Sequence, residues 1–451
     1  MHSNKAEIQE QLQLLSESLS MGTLAPVTRM LNSMKPQDLA HLLESSPPKM
    51  RHTIWQLVDI ENEGDVLPFL SEEIQKQFLE GLNAEEVLAI TEGLETDDIA
   101  DILQQLPNTI IQEVILSMDH QDRQRVESVL NLDEDSAGGL MSTEMITIRA
   151  PITLDVVLRY LRRHQELPDA TDNIYVVNRK DQFIGLLPIS RLVTSDPAIT
   201  VREVMVSDAE TIPVDMPKQE VARLFERNIW VSAPVVDTNG VLLGRITIDD
   251  IVDVIRDEAE HNMLGMAGLS EDEDTFASVR KTTPRRAIWL GINLLTAILA
   301  STVIKQFEGT ISHIVALAIL MPIVASMGGV AGTQTQTIII RGIALGQIGK
   351  NNSLWLLSRE MLVGLLNGAF WGTAIAIATW IIYRDIKLSF IIGAALIANI
   401  QVSAITGTLL PIALKKMRID PALAGGVILT TFTDCLGFFV FLGMATWVYF
   451  S

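Results

Sequence analysis

Met321-Pro322-Ile323-Val324-Ala325-Ser326-Met327-Gly328-Gly329-Val330-Ala331-Gly332-Thr333-Gln334-Thr335-Gln336-Thr337 is the stretch on which the fold turns. It sits inside an apolar run over roughly 312–340, long enough to cross a bilayer at about 1.5 Å per residue. Yet it holds a proline, three glycines, two glutamines and three threonines, a set that is costly against lipid. Such a span predicts a broken or closely packed helix lining a polar path. Four more apolar stretches flank it, at roughly 286–304, 355–382, 389–413 and 424–450. With only five acidic residues from position 285 onward, this succession argues against the alternative of buried helices in a soluble domain and predicts five transmembrane helices. The fourth span carries Asn399, Gln401, Ser403, Thr406 and Thr408 before Pro411, and the fifth carries Thr430, Thr431, Thr433 and Asp434. Asp434 reads as the only carboxylate well inside an apolar span, with no basic residue at its depth. A membrane carboxylate marks a functional site by default, here an ion-pathway ligand. The alternative is a structural hydrogen-bond partner between helices.

Charge divides the 451 residues. Positions 1–284 carry 50 of the 55 acidic but only 23 of the 34 basic residues, a formal charge of −27 against +6 for the rest. The acidic half argues against a nucleic-acid partner, which needs a basic face. Arg285 and Arg286 precede span one; Arg341, Lys350 and Arg359 lie between spans two and three; Lys415, Lys416 and Arg418 lie between spans four and five. The opposite side has Lys305, Arg384 and Lys387, each near Glu308 or Asp385. The positive-inside rule then places the N-terminal half in the cytoplasm and Ser451 outside. The single cysteine, Cys435, permits no disulfide within the chain. The start, Met1-His2-Ser3-Asn4, lacks the apolar region of a signal peptide.

Residues 5–130 show helical periodicity in short segments split by Pro, Gly and Asn. Three segments resemble one another: Met34–Leu43, Leu82–Ile90 and Leu94–Leu103. Each opens on a cap-like polar residue and acids before an apolar face, the pattern of a small superhelical solenoid or else a helical bundle. Residues 137–256 then repeat one unit. Leu140-Met141, Ile146-Thr147-Ile148, a helix near 153–164, Ile174–Val177, a turn over Asn178–Gln182 and Phe183–Leu187 form the first copy. Val204-Met205, Thr211–Val214, a helix near 218–228, Ser232–Asp237, a turn over Thr238–Gly240 and Val241–Ile246 form the second. Each unit resembles a CBS motif, and the pair resembles a Bateman module, a sensor that in many families takes adenine nucleotides. A purely structural pairing module is the other reading.

After the second copy runs Thr247-Ile248-Asp249-Asp250-Ile251-Val252-Asp253-Val254-Ile255-Arg256-Asp257-Glu258-Ala259-Glu260-His261. Asp249, Asp253 and Asp257 share one helical face, with Asp250 and Glu258 beside them. Like charges at that spacing destabilise a helix unless something neutralises them, as a divalent cation held through oxygens and waters would. An ordinary solvated acidic face is the alternative. The helix leads through 262–284 to span one, where a cation signal could reach the membrane.

Helical acidic domain, CBS pair, acidic connecting helix and five spans, in that order, resemble the MgtE family of magnesium channels over essentially the whole chain. The family signature Pro-x5-Gly-Gly-Asn-x-Gly-x-Gln is matched by Pro322, Gly328, Gly329, Gly332 and Gln334, continued by Arg341–Gly346. Asn399, Gly407 and Pro411 match span four; Asp420-Pro421-Ala422 and Thr430-Thr431-x-x-Asp434-x-x-Gly437 match the last loop and span. One departure stands out: the signature asparagine is Val330, with Gln334, Thr335 and Gln336 as neighbouring polar groups. The resemblance implies a multidomain membrane protein, with an all-α superhelical domain over 1–130, α/β tandem CBS domains over 131–200 and 201–256, a connecting helix and linker over 257–284, and a five-span domain over 285–451. It implies a homodimer with its pore at the twofold axis, Mg2+ as ion and ligand with Co2+ as a second substrate, and uptake across a bacterial inner membrane. The pathway residues would be Pro322, Gly328, Gly329, Gln334, Asn399, Thr430, Thr431 and Asp434. The gating metal would fall to Asp97, Asp98, Asp101, Asp249, Asp250, Asp253, Asp257, Glu258 and Asp420. An exporter or exchanger of divalent ions is the alternative function, and a membrane-anchored sensor a third. No phosphate loop, no aspartyl-phosphate segment and no nucleophile–base set is present. His2, His41, His52, His120, His164, His261 and His313 form no metal-ligand spacing.

Overall fold

A computed structural model describes residues 24–163, 167–168, 170–269, 274–349 and 351–450. The helix expected over 5–23, and His2, His164, Lys350 and Ser451, lie outside the described residues. The chain divides into two compact units, residues 1–258 with 274–277, and residues 259–273 with 278–451.

The first unit opens with nine short α-helices among the described residues, α1 (Leu24–Leu31), α2 (Pro36–Glu44), α3 (Pro48–Trp55), α4 (Ile60–Val66), α5 (Glu72–Leu79), α6 (Ala84–Thr91), α7 (Thr96–Gln104), α8 (Asn108–Ser117) and α9 (His120–Leu130). Their starts follow local chemistry. Proline occupies the first turn of α2 and α3, where its missing N–H costs nothing. Asn83 and Glu86 close a reciprocal capping box on α6, and the Asp119 carboxylate caps α9. Packing partners alternate: α2 meets α4, α4 meets α6, α6 meets α8. That next-but-one pattern is the superhelix read from the repeated segments. Its core gathers Leu31, Leu39, Leu42, Leu43, Ile54 and Leu67. Buried Arg51 donates to both carboxylate oxygens of Asp274 at 2.8 and 3.2 Å and to the Leu43 carbonyl, which ties residues 274–277 into this unit.

Two small α/β modules follow. In the first, β1 (Thr147–Arg149) runs parallel to β2 (Asn173–Val177), which pairs antiparallel with β3 (Phe183–Pro188); helix α10 (Leu154–Leu161) bridges β1 to β2, and α11 (Ile189–Thr194) and α12 (Val201–Val204) follow. The second repeats the order with β4 (Ile212–Pro213), α13 (Lys218–Asn228), β5 (Ser232–Val236) and β6 (Leu242–Thr247). Val176 opposite Gly185 and Val235 opposite Gly244 hold equivalent registers. The second turn closes where the Asp237 carboxylate accepts from the Asn239 and Val241 amides and Gly240 takes φ +76°. Helix α14 (Ile248–Gly265) continues from β6 and crosses the boundary expected at 256/257.

The second unit holds five helices long and apolar enough to span a membrane: α15 (Val279–Lys305), α17 (Ala316–Ala344), α18 (Ser353–Tyr383), α19 (Ile386–Lys416) and α20 (Pro421–Phe450). A short α16 (Glu308–His313) before the second span is absent from the sequence reading. Helix α17 is continuous through Pro322, so of the two forms expected for this span the closely packed one is realised. Helix α19 is the hub, packing on α17, α18 and α20. Along its most apolar window 61% of residues are buried, against 6% for α15, which leaves α15 for lipid or another chain.

Candidate functional site

Helix α17 has two unlike faces. Val324, Gly328, Gly332, Thr335, Gln336 and Ile339 are buried against its neighbours. Ala325, Ser326, Gly329, Val330, Thr333, Gln334, Thr337 and Ile338 instead line a groove of about 900 Å³ with Thr430 and Asp434 of α20. Glycine seats the buried face. A β-carbon on Gly332 would meet the Leu429 side chain at 3.0 Å, and one on Gly425 of α20 would stand 2.0 Å from Gln336 Nε2. Close helix contact therefore turns the polar stripe outward. A stripe of hydroxyls and amides around a carboxylate is unsuited to lipid and suited to a cation or its water shell. None of the residues lining the groove is basic.

The structure brings together Asp434, Thr430, Gly329 and Gln334 of the expected pathway residues, and adds Ser326, Thr333 and Thr337. Their signal was present in the sequence as the i, i+4 polar spacing along span two. Four others stand apart. Gly328 is buried in the helix interface, Pro322 is exposed one turn before Ser326, and Thr431 donates to the Val427 carbonyl at 2.7 Å. Asn399 corrects the sequence reading most clearly: it is 1% exposed, wedged between α17 and α20, so its amide does not face the groove. A second correction concerns carboxylates. Glu360 of α18 is also buried within a span, where it pairs with Arg359 at 2.5 Å and accepts from Thr335 at 3.4 Å. Asp420 caps the start of α20 by accepting from the Ala422 amide, and its other oxygen meets His261 Nε2 at 2.6 Å. His261, set aside on spacing alone, thus reaches an acid 159 residues away.

In the first unit, α7 and the start of α14 crowd their acids. Burial, then the charges of Asp250, Asp98 and Glu95, push Asp97 well above the usual carboxylate range, and its Oδ1 finds no hydrogen-bond partner among the described residues. Burial followed by Asp101, Glu95, Asp249 and Asp253 raises Asp98 to about 7. Asp101 keeps open surface of its own, but its crowded setting and the charges of Glu134, Glu72 and Asp250 also raise it to about 7. Asp250 reaches about 7 through burial and Asp249, opposed by hydrogen bonds from Thr247. The cluster thus gathers Asp97, Asp98, Asp101, Asp249, Asp250 and Asp253, and recruits Glu72, Glu95 and Glu134, which the sequence reading missed. Asp257 adds its charge to that of Asp253 and meets Arg256 at 3.3 Å; Asp253 also pairs with Arg256, at 2.9 Å. Glu258 lies one residue further along α14, half-buried. Among the described residues no three acid, histidine or cysteine side chains converge closely enough to ligate one ion directly. The crowd suits a cation that keeps its water shell.

Comparison with known proteins follows the same division. Residues 34–135 match the MgtE intracellular N domain, residues 137–196 and 201–257 match CBS domains, and residues 321–444 match the divalent cation transporter family MgtE. The magnesium transporter MgtE of Thermus thermophilus is 30% identical over 438 residues, 96% of this chain and 97% of the relative. The magnesium transporter MgtE of Bacillus subtilis is 28% identical over 425 residues, 94% of each chain. A crystal structure of the cytosolic domain of the Mg2+ channel MgtE in complex with ATP is 33% identical, covering 53% of this chain and 98% of that one, at a TM-score of 0.49.

Proposed function

We infer, for a chain that belongs to the MgtE family and transports Mg2+, that the ion passes along the polar groove between α17 and α20 and over Asp434. The observation that carries this reading is the groove itself: eight residues of one α17 face, with Thr430 and Asp434, turned away from the protomer's own core. Lipid cannot satisfy such a face, so a second copy related by a twofold axis covers it and encloses the path. Two Asp434 carboxylates then face the hydrated ion, which gives up its waters reluctantly. The membrane potential drives uptake with about 4.6 kcal/mol for a divalent ion per 100 mV. The basic residues Arg341, Arg359, Lys415, Lys416 and Arg418, at or near the ends of the spanning helices, set the N-terminal unit on the cytoplasmic side of the bacterial inner membrane.

Control falls to the acidic cluster. Its carboxylates repel one another when α7 and α14 pack together, and Mg2+ between them relieves the repulsion. High internal Mg2+ therefore favours the packed state, and low Mg2+ releases α14, whose far end leads toward span one. The effect is a population shift, and it requires tighter Mg2+ binding to the packed form. Asp434→Asn removes the charge but keeps the size. In proteoliposomes it is expected to lower Mg2+ flux by about tenfold or more, the loss of about 1.4 kcal/mol of interaction with the ion. Wild-type flux from folded Asp434→Asn protein would remove Asp434 from the pathway.

A further inference from the structure

We propose that Asn399 is a positioning residue: its amide wedges the two groove-lining helices at a fixed separation and so sets the ion ratio of the path. The inference rests on the reading that the α17–α20 groove carries Mg2+. Asn399 lies on α19, the hub of the membrane unit, and is 1% exposed. Its Nδ2 donates to the Val324 carbonyl of α17 at 2.8 Å, which fixes the amide's orientation, since an oxygen could not face that carbonyl. A β-carbon at Gly328 would stand 2.2 Å from Nδ2, and one at Gly437 would stand 2.7 Å from Nδ2 and 2.9 Å from Oδ1. The amide thus fills space that a glycine on each lining helix leaves empty.

Both glycines adjoin the groove in sequence. On α17, Gly328 immediately precedes the groove-lining Gly329; on α20, Gly437 follows Asp434 by three residues, about one helical turn. A shift at the wedge moves the α17 stripe relative to the Asp434 carboxylate. Stability does not explain the choice of side chain. The Oδ1 atom finds no donor among the described residues, and burying an amide with a polar atom unmatched costs more than burying an apolar group of like size. What the amide supplies is a directed bond to α17 combined with a volume fitted against α20.

The test uses the full chain in proteoliposomes, with Mg2+, Co2+ and Ca2+ fluxes measured well below each variant's thermal midpoint. Asn399→Leu keeps the bulk and loses the bond. It is expected to shift the ratio of Mg2+ to Co2+ or Ca2+ flux by about fivefold or more, a coupling of ordinary size for contacting residues. A merely structural residue would change the midpoint and leave that ratio alone. A second comparison covers the case in which Asn399→Leu does not fold. Gly328→Ala should impair Mg2+ flux in the wild-type chain, where the new methyl meets the amide, and be tolerated beside Asn399→Ala, where it does not. A wild-type ion ratio in folded Asn399→Leu, or additive effects of Gly328→Ala and Asn399→Ala, would overturn the proposal. Asp434→Asn run in parallel separates the two failures: retained flux there sinks the pathway reading, whereas lost flux with an unshifted ratio at Asn399 sinks only the wedge.

Discussion

Val330 stands on the groove-lining face with 54% of its surface open, where the family signature has an asparagine. Its isopropyl group offers no hydrogen bond to an ion's water shell, so Ser326, Thr333 and Gln334 supply the nearest polar atoms along the stripe. Val330→Asn adds an amide at a site with room for it, and the cost to folding should stay within about 0.5 kcal/mol, as at other open positions. The expected result is a changed ratio of Mg2+ to Co2+ and Mn2+ flux in competition assays. An identical ratio would show that this position does not select the ion. The neighbouring Gly328 and Gly329 show what sequence could and could not tell. Both belong to the motif, but a β-carbon on Gly328 would meet Asn399, whereas one on Gly329 meets nothing within 4 Å. One glycine serves packing and the other faces the groove. That division depends on the rotation of α17 against α19, which spacing along one chain does not reveal. Glu360 was hidden for a related reason: beside Arg359, near the start of the third span, it reads as a charge at the membrane edge, until Thr335 of another helix is placed against it.

Elements were far more legible than their faces. Helix starts at Pro36, Pro48 and Asn83, the duplicated α/β unit and the five spans all follow from local rules. The meeting of α7 with α14 does not, because it joins residues about 150 positions apart, as with Asp97 and Asp250. Their pairing makes a pH prediction with a definite sign. Asp98, Asp101 and Asp250 rise to about 7 when packed, from about 4 for a separated carboxyl. Between those values the packed arrangement holds more protons than the separated one. Its stability therefore falls as pH rises from about 4 to about 7 and stays low above that. Protons and Mg2+ relieve the same repulsion, so protons substitute for part of the Mg2+ that packing needs. Limited proteolysis across residues 125–284, titrated with Mg2+ at constant ionic strength, should show protection at lower Mg2+ at pH 6 than at pH 8. At pH 5.5 much of that protection should need no Mg2+. The Asp249→Ala/Asp253→Ala double variant should require more Mg2+ at pH 8. Equal cleavage with and without Mg2+ at pH 8 would end the gating reading, and Asp434 would be untouched by that result.

Over the whole molecule, polarity and charge are separated more sharply than the fold requires. The acidic half carries −27 and the membrane half +6, and a dimer would bring the acidic total to −54. Monovalent salt screens such charge, but only a multivalent ion bridges two carboxylates, which ties the chain's composition to the ion it carries. The membrane unit raises a parallel problem. Leu362, Phe370 and Ile382 of α18 are exposed and apolar and suit lipid, whereas Ser326, Thr333 and Gln334 of α17 are exposed and polar and do not. A second copy over the α17 stripe, as proposed above, would resolve this without any change inside the protomer. Cys435, the chain's single cysteine, makes the idea testable once replaced by serine. In that background Ser326→Cys should be joined into a covalent dimer by a short bis-maleimide in membranes, while Leu362→Cys, on an apolar face, should remain monomeric under the same treatment. Mg2+ in the path should slow the reaction at Ser326→Cys and leave Leu362→Cys unaffected. Cross-linking at Leu362→Cys but not at Ser326→Cys would place the partner on the wrong face, and the polar stripe would then need an aqueous path enclosed by a different element of the chain.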